Sequence, residues 1–226
     1  MMKFLTHYAN DERADSLANK FRRERFKLFR SLLDSVPKPY KILDVGGKQA
    51  FWEQMGFTNE DDVEIVLLNL TTMPVSLPNF TSVVSDARNM QQFREKEFDV
   101  VFSNSVIEHV GDYDQQLQMA KEVLRVGKRY FVQTPNLYFP LEPHFLFPYF
   151  QLLPFQTRVL LVRHFDIGWY KKMPVREQAA ELVRSHRLLT EKEMLQLFPQ
   201  SNIYREKFLG LTKSFVVYGG WDEHRI

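Results

Sequence analysis

The chain has 226 residues, 44% of them hydrophobic and 26% charged, enough apolar material to bury a core in one domain of ordinary size. Cysteine is absent, which excludes disulfides, thiolate-held zinc, iron–sulfur clusters and a cysteine nucleophile. The formal net charge is only +2, a balance that gives no argument for a nucleic-acid protein.

The start, Met1 to Ala14, is polar and lacks the apolar stretch of a secretory signal. No run approaches the roughly 18 apolar residues of a membrane helix, so the expected location is cytoplasmic, with membrane-surface contact left open. From about Asp15 to Val36 the apolar residues Ala18, Phe21, Phe29, Leu32, Leu33 and Val36 recur near helical spacing, and Pro37 and Pro39 end the segment. Six basic residues and one acidic one lie between Lys20 and Arg30. They read either as a solvated helix face or as a surface for phosphate groups or anionic lipid.

Short apolar strands then alternate with helical stretches. Strands are expected at 41–45, 63–68, 81–84, 98–102 and 129–132, with a helix over 112–126 that Gly127 closes. This pattern predicts βαβ units, a parallel sheet, and a ligand at the carboxyl ends of its strands. The alternation breaks between Tyr138 and Phe155, where seven aromatics and four prolines fall in 18 residues and forbid a long helix. Regularity is expected to return only at Thr190-Glu191-Lys192-Glu193, a capping box before a helix that Pro199 stops. Two final strands, 202–208 and 213–218, joined through Leu209-Gly210-Leu211-Thr212, read as an antiparallel hairpin.

The first strand-to-helix turn is Asp44-Val45-Gly46-Gly47-Lys48-Gln49-Ala50. It lacks G-x-G-x-x-G and fails the phosphate-loop pattern at Ile42 and Gln49, so neither a nicotinamide dinucleotide nor a Walker-type phosphate is indicated. The ensemble is more specific. Ile42-Leu43-Asp44-Val45-Gly46-Gly47, then Ser85-Asp86-Ala87, then Phe98 to Val110 (FDVVFSNSVIEHV) resemble the class I S-adenosylmethionine-dependent methyltransferases, in their small-molecule methyltransferase-domain branch. The resemblance covers about 40–218.

It implies an α/β fold: a Rossmann-like seven-stranded, mostly parallel sheet with a C-terminal antiparallel hairpin and helices on both faces. A helical and aromatic insertion would follow strand five. Residues 1–226 would form a single domain, with a helical leader over 1–39 and a substrate-side insertion over 136–187. By the same resemblance Gly46 and Gly47 would pass under the methionine portion of S-adenosylmethionine, and Asp44 would orient the turn. Asn69, with Leu70 beside it, stands where the family holds the ribose. Asp86 and Ala87 would meet the adenine, and Asn104 and Ser105 would flank the sulfonium. Lys48 and Asn69 depart from the family's usual glycine and acid.

The expected reaction is methyl transfer to a small-molecule acceptor, with oxygen as the acceptor atom. His144 and His109 are the candidate catalytic groups, each with a packing or pocket-shaping role as its alternative. Phe139, Glu142, Trp169 and Tyr170 of the insertion are the candidate acceptor contacts, with His164 and Asp166 weaker ones. Glu108, His109, Asp112 and Asp114 offer metal ligands only on paper, since no recognised metal-ligand spacing occurs, and no metal is expected. The expected partners are a small-molecule acceptor and no nucleic acid, with a membrane surface or lipid-linked acceptor and a monomer or homodimer left open. Two rival functions stand beside this one: an inactive cofactor-binding module and a different nucleotide-binding α/β enzyme.

Overall fold

The computed structural model describes residues 16–58 and 62–221. The polar start, with the expected helix onset at Asp15, lies outside them. In chain order the elements are α1 (Leu17–Leu33), β1 (Tyr40–Val45), α2 (Gln49–Gln54), β2 (Val63–Asn69), β3 (Phe80–Val84) and β4 (Phe98–Asn104). A 3-10 turn (Ile107–His109) leads to α3 (Tyr113–Val126) and β5 (Gly127–Pro135). A small hairpin, β6 (Leu141–Glu142) and β7 (Phe147–Pro148), opens the insertion, followed by α4 (Phe155–His164) and α5 (Arg176–Arg184). The chain closes with α6 (Glu191–Leu197), β8 (Asn202–Phe208) and β9 (Leu211–Gly219).

Seven strands form one sheet in the order β3-β2-β1-β4-β5-β9-β8. β1 pairs in parallel with β2 and β4, and β4 with β5, while β9 runs antiparallel between β5 and β8. The central strands are apolar on both faces because both faces are covered. On one side Leu43, Val66, Val101, Val132 and Val217 pack with α3 and α6 through Met119, Val123, Met194 and Phe198. On the other, Ile42, Ile65, Leu67, Val100, Phe102 and Phe131 pack with Phe26, Phe29 and Leu33 of α1 and Trp52 of α2. The same period of two that reads as a strand in the sequence thus sorts each strand between two cores.

Gly127 caps α3 as expected, its N–H reaching the Val123 carbonyl, in extended backbone (φ −97°) that continues directly into β5. It is glycine because a Cβ there would lie 2.6 Å from Val101 Cγ2 and 2.8 Å from the Arg129 carbonyl. Three other sequence expectations need correction. The final hairpin turns on two residues only, Leu209 (φ 50°) and Gly210 (φ 81°), the paired left-handed geometry of a tight two-residue loop. Regularity does not wait for Thr190: α4 starts directly after Pro154, its N-cap, and α5 precedes the capping box.

The aromatic side chains, which gather along the sequence over 138–155, are finally shared in the structure between two places. One set fills the core under α1, where Phe26, Phe29, Phe51, Trp52, Phe57, Phe102 and Phe131 touch edge-to-face or stacked. The other builds a separate small core inside the insertion, where Phe145 stacks on Phe150 at 4.1 Å beside Val159, Val162 and Val183. Among the described residues no helix is long and apolar enough to cross a membrane.

Candidate active site

The turn after β1 is shaped from below. Asp44, the last residue but one of the strand, is 1% exposed, and Trp52 of α2 donates its indole N–H to Asp44 Oδ2 at 2.6 Å. Burial pushes this carboxyl up to about 7, against the Trp52 bond, which favours the charge. Gly47 is the lid over it: a Cβ at 47 would stand 1.5 Å from Asp44 Oδ2. Gly46 has φ 78°, and a Cβ there would meet Val106 Cγ2 at 2.5 Å, so the backbone alone can run past this point. Asn69, at the end of β2, donates Nδ2 to the Gly47 carbonyl at 2.9 Å. A carboxylate in that place could not donate, which gives a physical reason for the amide.

Above the turn lies a cleft of about 710 Å³, a volume suited to a bound organic molecule. Gly46, Asn69, Leu70, Asp86, Ala87 and Ser105 line it, so six of the nine residues expected to bind cofactor come together there. Leu70 is 74% exposed on its rim, an apolar side chain held in water beside an opening. Gly47 and Asp44 form the floor beneath. Asn104 is the exception. Its amide accepts from the Arg25 guanidinium of α1. Arg25 also reaches Gln133 Oε1 at 2.7 Å and forms a bidentate pair with Glu206 at 2.8 and 3.0 Å. Ser105 joins this buried group through Gln133 Oε1 at 2.8 Å.

Asp86 has partners of its own. Both of its oxygens accept from Arg88 Nε, at 2.9 and 3.0 Å, and Oδ1 takes the Arg88 backbone N–H as well. Those bonds hold the carboxyl below its ordinary value, with burial opposing. Arg88, and Glu181 and Arg184 of the insertion, line the cleft with no motif to announce them.

At the end of the cleft nearest β4, three histidines from distant parts of the chain meet. His109 comes from the turn after β4, His144 from the β6–β7 hairpin and His186 from just beyond α5. Each pair of rings is 4.7 Å apart, centre to centre. His109 lines the cleft; the other two lie behind it, half-buried. His144 Nδ1 is 2.7 Å from Glu142 Oε1, and since a carboxylate only accepts, that nitrogen carries the proton. His186 Nδ1 donates to the Leu182 carbonyl at 2.9 Å. That carbonyl belongs to the last turn of α5, where backbone acceptors lack helical partners.

Burial and the two neighbouring imidazoles drive His109 down to about 3, and burial likewise lowers His186. Burial opposes the charge of His144 too, but the bond to Glu142 and the charges of Glu142 and Glu108 outweigh it and leave His144 raised.

Glu108 is fully buried below this cluster. Oε2 accepts from Thr134 at 3.0 Å, whereas Oε1 has no partner and faces His144 Nε2 across 4.0 Å. Glu142 is committed to the hairpin: it accepts from the His144 and Phe145 backbone N–H groups at 2.7 and 2.5 Å as well as from the His144 ring. Tyr170 donates its hydroxyl to His186 Nε2 at 2.8 Å, and Trp169 bonds the Pro143 carbonyl at 3.2 Å. Phe139 is half-buried and begins the insertion. Asp166 ties down its own loop through Lys171 and Lys172, His164 lies exposed at the end of α4, and Asp112 caps α3 in a full capping box.

A seven-stranded sheet of this order, with a glycine turn after β1 and a cleft over the ends of β1, β2 and β4, is the fold of the class I S-adenosylmethionine-dependent methyltransferases. Residues 58–132, about a third of the chain, match the family described as "Methyltransferase domain".

Among solved structures, a SAM dependent methyltransferase from Aquifex aeolicus is 12% identical with a TM-score of 0.51, over 96% of this chain and 97% of that one. The CurJ carbon methyltransferase is 14% identical with a TM-score of 0.57, over 90% of this chain and 55% of that one. At these identities the likeness is one of fold. Two uncharacterized proteins of Mycobacterium tuberculosis, from strains CDC 1551 / Oshkosh and ATCC 25618 / H37Rv, are 41% identical to it over 66 residues, 29% of this chain. The match spans about a fifth, 22%, of the length of those curated relatives.

Proposed function

We propose that the protein transfers the methyl group of S-adenosylmethionine to an oxygen of a small-molecule acceptor. The observation that carries this reading is the continuity of the cleft: it begins at the open backbone of Gly46 and ends at His109, the exposed member of a histidine cluster roofed by the insertion. The cofactor, when bound, supplies a methyl carbon activated by the sulfonium, so that a C–O bond forms as the C–S bond breaks toward sulfur and the acceptor releases its proton.

The chain's own part is chiefly alignment. Gly46 and Gly47 let the turn settle against Val106 and Asp44, where a Cβ at either position would collide, and so hold bare backbone alongside the methionine portion. Asn69 offers its amide oxygen, Nδ2 being spent on Gly47, while Leu70 and Ala87 supply apolar surface for the nucleoside. Asp86 shares its oxygens with Arg88 Nε, Nη2 and backbone N–H, so an adenine amino group there would be a fourth donor to the same carboxylate.

Ser105 and His109 border the region of the methyl group. His144, aligned by Glu142 and in ring contact with His109, backs the acceptor side. Glu142 serves by orienting His144, and Tyr170 and Trp169 by holding the roof, with Phe139 at its root. The oxygen preference rests on this polar end to a mostly apolar cleft.

Thermal unfolding with S-adenosylmethionine and S-adenosylhomocysteine tests the cofactor: ligand at a hundredfold over its dissociation constant stabilises the fold by about 2.7 kcal/mol. Labelled methyl transfer to a panel of hydroxyl, amine and carbon acids then tests the reaction. No shift with either ligand refutes the reading. A shift without transfer to any acceptor favours a binding module, and transfer only to nitrogen or carbon refutes the oxygen assignment.

A further inference from the structure

Three features of the histidine cluster exceed what packing needs. First, two of the imidazoles have one ring nitrogen fixed as a donor: His144 to the Glu142 carboxylate and His186 to the Leu182 carbonyl. This is the outer-shell arrangement that orients histidine ligands, since it leaves the other nitrogen as a lone pair pointing where the backbone aims it. Second, one nitrogen from each of His109, His144 and His186 lies within 4.8 Å of the others. Third, Glu108 Oε1, buried and without a hydrogen bond, faces His144 Nε2 across 4.0 Å. An imidazole lone pair and a carboxylate oxygen do not face each other in a dry interior unless something positive lies between them.

A single proton on His144 would satisfy that one pair. It would not account for the gathering of three imidazoles with one nitrogen each within 4.8 Å of the others, of which only His186 Nε2 has a partner, the Tyr170 hydroxyl. We infer that His109, His144 and His186 form a binding site for one divalent first-row transition cation, with the buried Glu108 carboxyl behind His144 as a counter-charge and the fourth position open toward the cleft beside His109. Three imidazole donors with no thiolate suit Zn2+, Co2+, Mn2+ or Fe2+, and a cation that prefers oxygen, such as Mg2+ or Ca2+, would find too few oxygens.

A tetrahedral zinc–nitrogen shell needs nitrogens about 3.4 Å apart, given bonds of ~2.0–2.1 Å, so the three rings would close inward by a rotation of their side chains. The Tyr170 hydroxyl, now donating to His186 Nε2, is the group that gives way. No spacing in the sequence announces the site, because its ligands come from three segments separated by 35 and 42 residues. Using such a cation to hold the acceptor oxygen rests on the methyl-transfer reading; the site itself does not.

The test uses tag-free, full-length protein stripped with a chelator and then titrated with Co2+ and with Zn2+, following stoichiometry and the visible ligand-field bands of Co2+. The expected result is one saturable equivalent. His109→Ala and His186→Ala should each weaken binding by roughly 100-fold, and Glu142→Gln by roughly 10-fold or more through the lost outer-shell bond. His164→Ala, exposed at the end of α4, should bind as the parent does. Circular dichroism and melting in chelator confirm that each variant is folded, and His109→Ala, at the exposed corner, is the variant least exposed to that difficulty.

The inference is overturned if the parent shows no one-equivalent binding, a protonated His144 being then the whole answer. It is equally overturned if His109→Ala and His186→Ala both bind as tightly as the parent. Melting with S-adenosylmethionine, run in chelator on the same samples, separates the two readings. A cofactor shift without cation binding removes only the cation site, and cation binding without a cofactor shift removes only the methyl-transfer reading.

Discussion

Asp44→Asn should make the protein more stable at neutral and alkaline pH. In the folded chain the Asp44 carboxyl is buried between Trp52 and Gly47 and titrates at about 7, against an ordinary value of 3.8. The native state therefore holds the proton more tightly than the unfolded state, and the sign follows. The contribution of this group is fully present below pH 3.8 and is lost as pH rises through 7. At about 1.36 kcal/mol per unit, the loss is complete above pH 8 and amounts to something on the order of 4 kcal/mol.

Asparagine keeps an acceptor for the Trp52 indole and carries no charge to desolvate. Urea unfolding of the parent and the variant across pH 5 to 8 isolates the term, because other titrating groups cancel in the difference. The stability of the variant relative to the parent should climb by roughly 3 kcal/mol over that range, most of it between about pH 5 and 7. A difference that stays flat with pH, or one that moves against the variant as pH rises, refutes the claim that a buried, protonatable carboxyl supports the turn.

Two further substitutions probe the same region and its flank. Gly47→Ala, although φ at this position is ordinary, drives a methyl group into Asp44 Oδ2, and should cost about 2 kcal/mol or more in urea unfolding and abolish the melting shift with S-adenosylmethionine; an unaltered shift would mean that the turn opens freely. Arg25→Met leaves the buried Glu206 carboxylate without its bidentate partner and should cost about 3–5 kcal/mol, while adding Glu206→Leu should recover roughly half or more of the loss; a neutral single variant would show that the pair does not anchor α1 to the sheet.

The histidine cluster and the Arg25 group show where reading along the chain stops. His109 was visible because it sits in the motif after β4, and His144 because it follows Glu142-Pro143 in an unusual run. His186 had no such neighbour: it lies just after α5, in a stretch that gave no helical signal strong enough to mark. The prolines of 138–155 do forbid a long helix, but Pro154 at the start of α4 is a favourable place for one, since no helical N–H is lost there. Arg25 read as part of a basic face, yet it is the one basic side chain of that stretch turned fully inward, against Asn104, Gln133 and Glu206. Charge composition alone cannot distinguish a solvated guanidinium from one with a buried carboxylate waiting for it.

Local chemistry determined the sheet and the turn. Apolar runs of strand length, glycines at 46 and 47, a capping box at Thr190 and a tight final hairpin each report on a few neighbouring residues, and the fold agrees with nearly all of them. The tertiary structure alone decided which polar groups face one another. Three histidines, two glutamates and a tyrosine from four segments meet at one end of a cleft, Arg88 closes on Asp86, and Asp44 is driven out of water. Burial and distance fix these pairings. Both are properties of the packed chain, so no window of sequence holds them.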